Sequence, residues 1–253
     1  MTIGVYGLGR FGYFWASLLA EKYNVKGYSR RVKKKTPDGV EVISRKDLLR
    51  CDVIFLCVAI SAMEEVLKEI SPHVKPGTLI VDTCSVKVYP VKLMKSILPE
   101  DVFVLATHPM FGPDSGKRGV EGLPIVFCPV RVTREIEKEW REIFCSYKLR
   151  IIDMTPEKHD YNAAYTQGIT HFIGRVLGDL HLELSPIATE GYKKLLEIIE
   201  QTCNDPFQLF IDLQHYNPST EEMRKNLYLS LRRVMDKFEA SLDSKQDRRY
   251  DKI

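Results

Sequence analysis

The sequence predicts a doubly wound α/β protein, a mostly parallel sheet covered by helices, followed by an all-helical segment. Three observations carry that prediction. Apolar runs of strand length alternate with amphipathic runs over roughly the first 150 residues. A glycine-rich turn follows the first apolar run directly. Strand signal disappears beyond Asp153.

Strands are expected at 2–6, 25–28, 52–58, 78–82, 102–106, 124–128 and 148–152. Helices are expected between them at 10–22, 45–50, 61–71, 88–97 and 133–145. Pro76-Gly77 marks a turn before Thr78. Thr133 suits an N-cap, with Glu135 and Glu137 near the positive end of the helix dipole. Thr155-Pro156-Glu157 reads as an N-cap followed by a helix-starting proline. The helix it opens runs to about His181 despite Gly168, Gly174 and Gly178. Each glycine costs roughly 1 kcal/mol relative to alanine, so close helix packing or a ligand against the backbone is expected there. Further helices are expected at 186–203, 206–215 and 219–242, with a fraying polar tail from Ser244. The domains are therefore read as 1–153 and 154–253, within the capacity of a 253-residue chain. The long helices of the second need a partner to cover their apolar faces, which predicts a homodimer.

Residues 3–12 read IGVYGLGRFG, with Gly7, Gly9 and Gly12 at dinucleotide-site spacing. Gly7 permits the tight turn, Gly9 lets a pyrophosphate approach the backbone, and Gly12 lets the helix pack on the sheet. Leu8, Arg10 and Phe11 complete the turn, whose helix N-terminus offers free N–H groups to an anion. An NAD site usually places an acid about 20 residues further on. Here the second strand ends in Ser29-Arg30-Arg31, which suits a 2′-phosphate, so NADP is the expected cofactor. Lysines 33–35 add positive charge, or form a solvated loop. Cys57 and Val58 end the strand where the cofactor crosses the sheet edge.

Net charge is only +3 and is spread along the chain, which argues against a nucleic-acid partner. The six cysteines form no CxxC pair and the histidines no metal-ligand grouping, so no metal is expected. No basic leader is read, and no apolar stretch reaches the ~20 residues a membrane span needs. A reducing, cytoplasmic setting is expected.

Three polar segments converge on the sheet's carboxyl edge if the strands are right: 82–87, 107–113 and 166–171. His108 is the foremost candidate for a base, because an imidazole takes a proton near neutrality. Ser85 can hold a substrate hydroxyl. Gln167 and His171 share one helix face and contact either substrate or the other domain.

DTCSVK at 82–87, THPMFGPDSGK at 107–117, HDYNAAYTQGITHFIGRVL at 159–177 and ATEGYKKLLEII at 188–199 resemble the TyrA family of prephenate and arogenate dehydrogenases. The likeness is greatest to compact, plant-like arogenate dehydrogenases and covers roughly 3–240. It implies a Rossmann-type domain followed by a helical dimerisation domain of the 6-phosphogluconate dehydrogenase C-terminal type. It implies oxidative decarboxylation of a small cyclohexadienol, with hydride leaving ring C4. His108 then falls on the family's catalytic histidine, Ser85 on its serine partner and His171 on its second substrate histidine. Lys87 and Ser115 are expected to line the pocket. Prephenate-specific members carry an arginine where this chain has Glu197, so arogenate is expected to be preferred over prephenate. The competing readings are an NADP-linked β-hydroxyacid or imine reductase, using Lys193 or Lys194, and a non-catalytic NADP-binding redox sensor.

Overall fold

Eight strands form a single sheet in the order β3-β2-β1-β4-β5-β6-β7-β8, in a computed structural model that describes residues 1–30 and 35–250, with side chains to Leu242. The strands are β1 (Thr2–Tyr6), β2 (Asn24–Tyr28), β3 (Val40–Val42), β4 (Val53–Leu56), β5 (Leu79–Asp82), β6 (Phe103–Pro109), β7 (Pro124–Arg131) and β8 (Arg150–Asp153). All neighbours are parallel except β6 and β7. The order reverses at β1 and β4, which opens a crevice at their carboxyl ends. Both β4 (VIFL) and β5 (LIVD) are wholly buried, as strands covered on two faces must be.

Helices α1 (Arg10–Ala20), α2 (Arg45–Leu48), α3 (Met63–Ile70), α4 (Val88–Ile97), α5 (Pro113–Gly116) and α6 (Arg134–Ser146) cover the two faces. One core layer gathers Trp15, Phe55, Phe127, Trp140 and Phe144; the other gathers Tyr6, Ile54, Met63, Leu67, Ile80 and Met94. The Thr133 hydroxyl accepts from Ile136 N at 3.3 Å, so α6 starts at its expected cap. Two short elements escaped the sequence reading. Strand β3 and helix α5 span three and four residues, too short for a periodic signal.

Among the described residues every regular element after β8 is a helix: α7 (Pro156–Ala163), α8 (Ile169–Asp179), α9 (Glu190–Cys203), α10 (Phe207–Tyr216) and α11 (Thr220–Tyr250). Thr155 and Thr189 cap α7 and α9 through Lys158 N and Tyr192 N. The single helix expected from 155 to 181 is instead interrupted by a π turn at Ala164–Gly168. Its glycines are explained by packing. A Cβ on Gly174 would lie 2.2 Å from Thr202 Oγ1, and one on Gly178 3.0 Å from Cys203 Sγ. Helices α8 and α9 therefore touch where side chains are smallest.

The helical part is tied to the sheet by buried polar contacts. Asp212 Oδ2 accepts from Ser61 N and Oγ at 3.0 and 2.9 Å. Asp160 accepts from Lys87 N and Val88 N at 2.6 and 3.0 Å, which caps α4 from the other part of the chain. No described helix is long and apolar enough to cross a membrane.

Candidate active site

The glycine turn is built by steric necessity. Gly7 has φ +103°, and a Cβ there would sit 2.4 Å from Cys57 O. A Cβ on Gly12 would sit 1.8 Å from Gly7 O. Nothing lies within 4 Å of a Cβ built on Gly9, so that backbone stays approachable. The first turn of α1 holds no acid, and a cavity of about 570 Å³ borders it, lined by Leu8, Gly9, Arg10, Tyr13 and Pro113 among others. These features fit a dinucleotide pyrophosphate. Leu8 is buried in the core and Phe11 stacks on Trp15 at 5.8 Å, so both give the turn their backbone rather than their side chains. Cys57 and Val58 lie half-buried behind Gly7. Burial pushes the Cys57 thiol up to about 12, so it is an uncharged wall.

Ser29 is half-buried and Arg30 exposed at the end of β2, where Arg30 Nη1 pairs with Glu65 Oε1 at 3.2 Å. Arg31, Lys33 and Lys34 lie outside the described residues.

His108 ends β6 and is buried against the helical part of the chain. Its Nδ1 lies 2.8 Å from His159 Nε2, and His159 Nδ1 lies 2.8 Å from Asp160 Oδ1. The direction of this chain follows from its end. A carboxylate only accepts, so His159 Nδ1 carries a proton and its Nε2 accepts one from His108 Nδ1. That leaves His108 Nε2 unprotonated and without a hydrogen bond to any described residue. Burial first, then His159 and Lys87, hold the His108 pKa well below the usual histidine range. The imidazole is therefore neutral at pH 7. Neither His159 nor Asp160 is among the candidates read from the sequence.

Ser85 sits on the loop after β5, half-buried, its hydroxyl unengaged by any described residue. The loop is rigid: Thr83 Oγ1 donates to Leu56 O at 3.0 Å, and Cys84 N to Asp82 Oδ1 at 2.8 Å. Lys87 corrects an expectation. Its side chain is fully buried, with Nζ donating to Asp82 Oδ1 at 2.5 Å and to Thr107 O at 2.6 Å. It ties the Ser85 loop to the His108 strand and lines no pocket. Ser115 is a second correction. Its hydroxyl accepts from Gly112 N at 3.0 Å and is spent on closing its own turn.

A second polar cluster lies on the π turn and α8. Gln167, His171 and Arg175 recur every fourth residue along it, and each leaves one buried polar atom unpaired: Gln167 Oε1, His171 Nδ1 and Arg175 Nε. Gln214 Nε2 holds the π turn by donating to Gly168 O at 2.8 Å. Burial lowers the His171 pKa. Its Nε2 lies 4.0 Å from Asp205 Oδ2. Arg175 and Asp205 were not singled out from sequence. Glu197 is a third correction. It is exposed on α9, five residues before Thr202 and so about 140° around the helix from the side facing α8. Lys193 and Lys194 are exposed on the same helix, Lys193 paired with Glu190. No described residues form a metal-binding cluster.

The family model for the nucleotide-binding domain of prephenate dehydrogenase matches residues 22–134, and the TYRAAT1-like C-terminal domain matches 176–250. Arogenate dehydrogenase 2, chloroplastic, of Arabidopsis thaliana is 36% identical over 249 residues, 92% of this chain and 69% of its own length. The chain belongs to the prephenate and arogenate dehydrogenase family. Arogenate dehydrogenase 1, chloroplastic, of the same plant is 37% identical over 91% of this chain, which spans only 38% of that relative's length. The family fold recurs in the prephenate dehydrogenase of A. aeolicus, solved with hydroxyphenyl propionate and NAD+. That structure has a TM-score of 0.68 at 19% identity and matches 99% of this chain and 98% of its own.

Proposed function

We propose that this family member catalyses NADP-dependent oxidative decarboxylation of a cyclohexadienyl carboxylate, with arogenate preferred to prephenate. The observation that carries the reading is the His108–His159–Asp160 chain, which ends in a free, unprotonated Nε2 at the crevice. His108 Nε2 takes the proton of the ring C4 hydroxyl, and Ser85 on the adjacent strand end orients that hydroxyl. His159 and Asp160 stabilise the imidazolium that results. The substrate's C1–carboxylate bond breaks as CO₂ leaves, its electron pair enters the ring, which becomes aromatic, and the C4 oxygen takes the proton back from His108. Bound NADP supplies the hydride acceptor for C4. Gly7, Gly9, Arg10 and Gly12 would hold its pyrophosphate, and Ser29, Arg30 and Arg31 its 2′-phosphate.

Among the unpaired atoms of Gln167, His171 and Arg175, Arg175 Nε can donate to a substrate carboxylate and Gln167 Oε1 can accept from a substrate hydroxyl or ammonium. The acid that favours arogenate is Asp205, beside His171, in place of the exposed Glu197. Arogenate carries an ammonium on its side chain where prephenate carries a keto group, and a carboxylate favours the former.

We further propose that the active form is a homodimer through the helical part. Tyr228, Leu231, Val234, Met235 and Phe238 leave an apolar surface exposed on α11, and Leu180 and Leu184, between α8 and α9, are exposed as well.

The test is absorbance at the NADPH band with arogenate and prephenate, each with NADP+ and NAD+. Fast turnover of arogenate with NADP+ is expected. Higher kcat/KM with prephenate overturns the substrate preference, higher kcat/KM with NAD+ overturns the cofactor choice, and silence in all four assays overturns the activity.

A further inference from the structure

We infer that Arg10 is the residue through which a dinucleotide on the glycine turn and a ligand in the crevice act on each other. The inference rests on the proposed nucleotide site and adds an energetic coupling that the activity itself does not require.

Arg10 begins α1, inside the G-L-G-R-F-G turn. Its guanidinium is claimed by two carboxylates from distant parts of the chain. Nη2 donates to Asp114 Oδ2 at 2.5 Å, on α5 after the His108 loop. Nη1 donates to Asp205 Oδ1 at 2.9 Å, between α9 and α10. Cofactor turn, substrate loop and helical part thus meet at one side chain.

Asp205 is held by its backbone and exchangeable at its side chain. Arg175 Nη2 donates to Asp205 O at 2.7 Å, with its guanidinium over the rings of Phe207 and Phe210 at 5.5 and 5.9 Å. The carboxylate divides its oxygens between Arg10 and the side facing His171. Side-chain exposure is 39% for Arg10, 47% for Asp114 and 25% for Asp205, so solvent weakens both pairs and other charges can displace them.

A pyrophosphate at the N-terminus of α1 lies beside Arg10 and draws on its guanidinium. Arg10 then releases Asp205, which becomes available to an ammonium group in the crevice. The reverse also holds: an ammonium on Asp205 releases Arg10 to the phosphate. The coupling is positive and, by linkage, equal in both directions.

The experiment is calorimetric titration of the intact protein with NADPH and with L-tyrosine, each alone and each with the other saturating. L-Tyrosine is the aromatic product of the arogenate reading, keeps its ammonium, and forms no reactive pair with NADPH. In the wild type each ligand is expected to tighten the other about 5- to 20-fold. In Arg10→Gln that factor falls to about one, and L-tyrosine alone binds as tightly as it does to the NADPH-loaded wild type. In Asp205→Asn, NADPH alone binds several-fold tighter, because Arg10 is freed. Arg10→Lys restores part of the coupling.

Two bound ligands with no mutual effect in the wild type overturn the inference and leave the activity standing. Full coupling in Arg10→Gln overturns it as well. Unchanged NADPH affinity in Asp205→Asn overturns it whatever L-tyrosine does. A wild type that binds no NADPH overturns the nucleotide site itself, and the inference with it.

Discussion

The proposed site draws one histidine from each of two walls, His108 from the sheet and His171 from the helical part, and their surroundings differ in kind. His108 belongs to a chain in which every donor has an acceptor, down to a carboxylate that also caps a helix. His171 belongs to a stripe in which three consecutive polar residues each leave an atom unpaired. A finished network fixes a tautomer before any ligand arrives, at no cost in rearrangement when the proton moves. An unfinished one costs folding energy that a ligand can recover by pairing the orphaned groups. On the proposed reading the first wall handles a proton and the second holds the substrate. The sharpest experiments are those that treat the two walls as if they were alike.

The largest difference is expected for alanine at the two histidines. His108→Ala should lower kcat by ~10²–10⁴ with nucleotide affinity nearly unchanged, since general-base catalysis is worth that much. Steady-state kinetics beside NADPH titration checks both halves, and unchanged turnover removes His108 as the base. Asp160→Asn should act on the same wall from a distance. Its amide still fills the space but can present an N–H to His159, which reverses the tautomer argument and lowers kcat more than it raises KM. Beneath that wall, Lys87→Met should destabilise the fold by about 3–5 kcal/mol, because it strands Asp82 as a buried, uncompensated charge. Chemical denaturation measures it; a loss under 1 kcal/mol would show that Asp82 takes up a proton and tolerates the change.

Much of the first wall and little of its wiring was legible in the sequence. The glycine turn could be read because steric exclusion at Gly7 and Gly12 acts within a few residues and leaves a fixed spacing. Most strands could be read because β1, β4 and β5 are covered on both faces and so are mostly apolar. The reversal of β7 against β6 left no local trace, and the π turn depends on Gln214, far along the chain. His108 stood out as an imidazole in a polar segment expected at a strand end. Its partner His159 is 51 residues away, and only the fold brings them together. The adjacent His159-Asp160 pair was the available signal: two ionisable residues side by side in the first turns of a helix that opens against the reaction site. Lys87 and Ser115 were misplaced for the opposite reason. Closeness in sequence to reactive segments says nothing about which way a side chain turns, and both turned toward their own backbone neighbourhood.

The second wall should respond through binding. His171→Gln keeps a polar group of similar reach but loses the ring nitrogens, and should raise KM about 10- to 100-fold, the range of a hydrogen bond to a charged group. The change in kcat should be small by comparison. Initial-rate kinetics separates the two, and a drop in kcat at constant KM would move His171 into the proton-handling group and erase the contrast between the walls.

The smallest expected effect is one the two walls share. His108, His159 and His171 all have pKa values lowered chiefly by burial. In the unfolded chain each titrates near the ordinary 6.5. Below that pH the unfolded state binds protons that the native state refuses, so stability must rise with pH in this window. The stability these groups contribute is whole above about 6.5. It drains away as the pH falls from there through each lowered native value. Melting temperature measured from pH 8 to pH 5 should therefore fall on the acid side, and His171→Gln should flatten the slope without abolishing it. His159 has the carboxylate of Asp160 working against burial, whereas His108 has only positive neighbours, His159 and Lys87. As the pH falls, His159 should therefore take up a proton before His108, and two-dimensional NMR of the ring protons would follow the order. The reverse order would mean that the Asp160 carboxylate does not set the direction of the hydrogen-bond chain, and the assignment of the free Nε2 would fall with it.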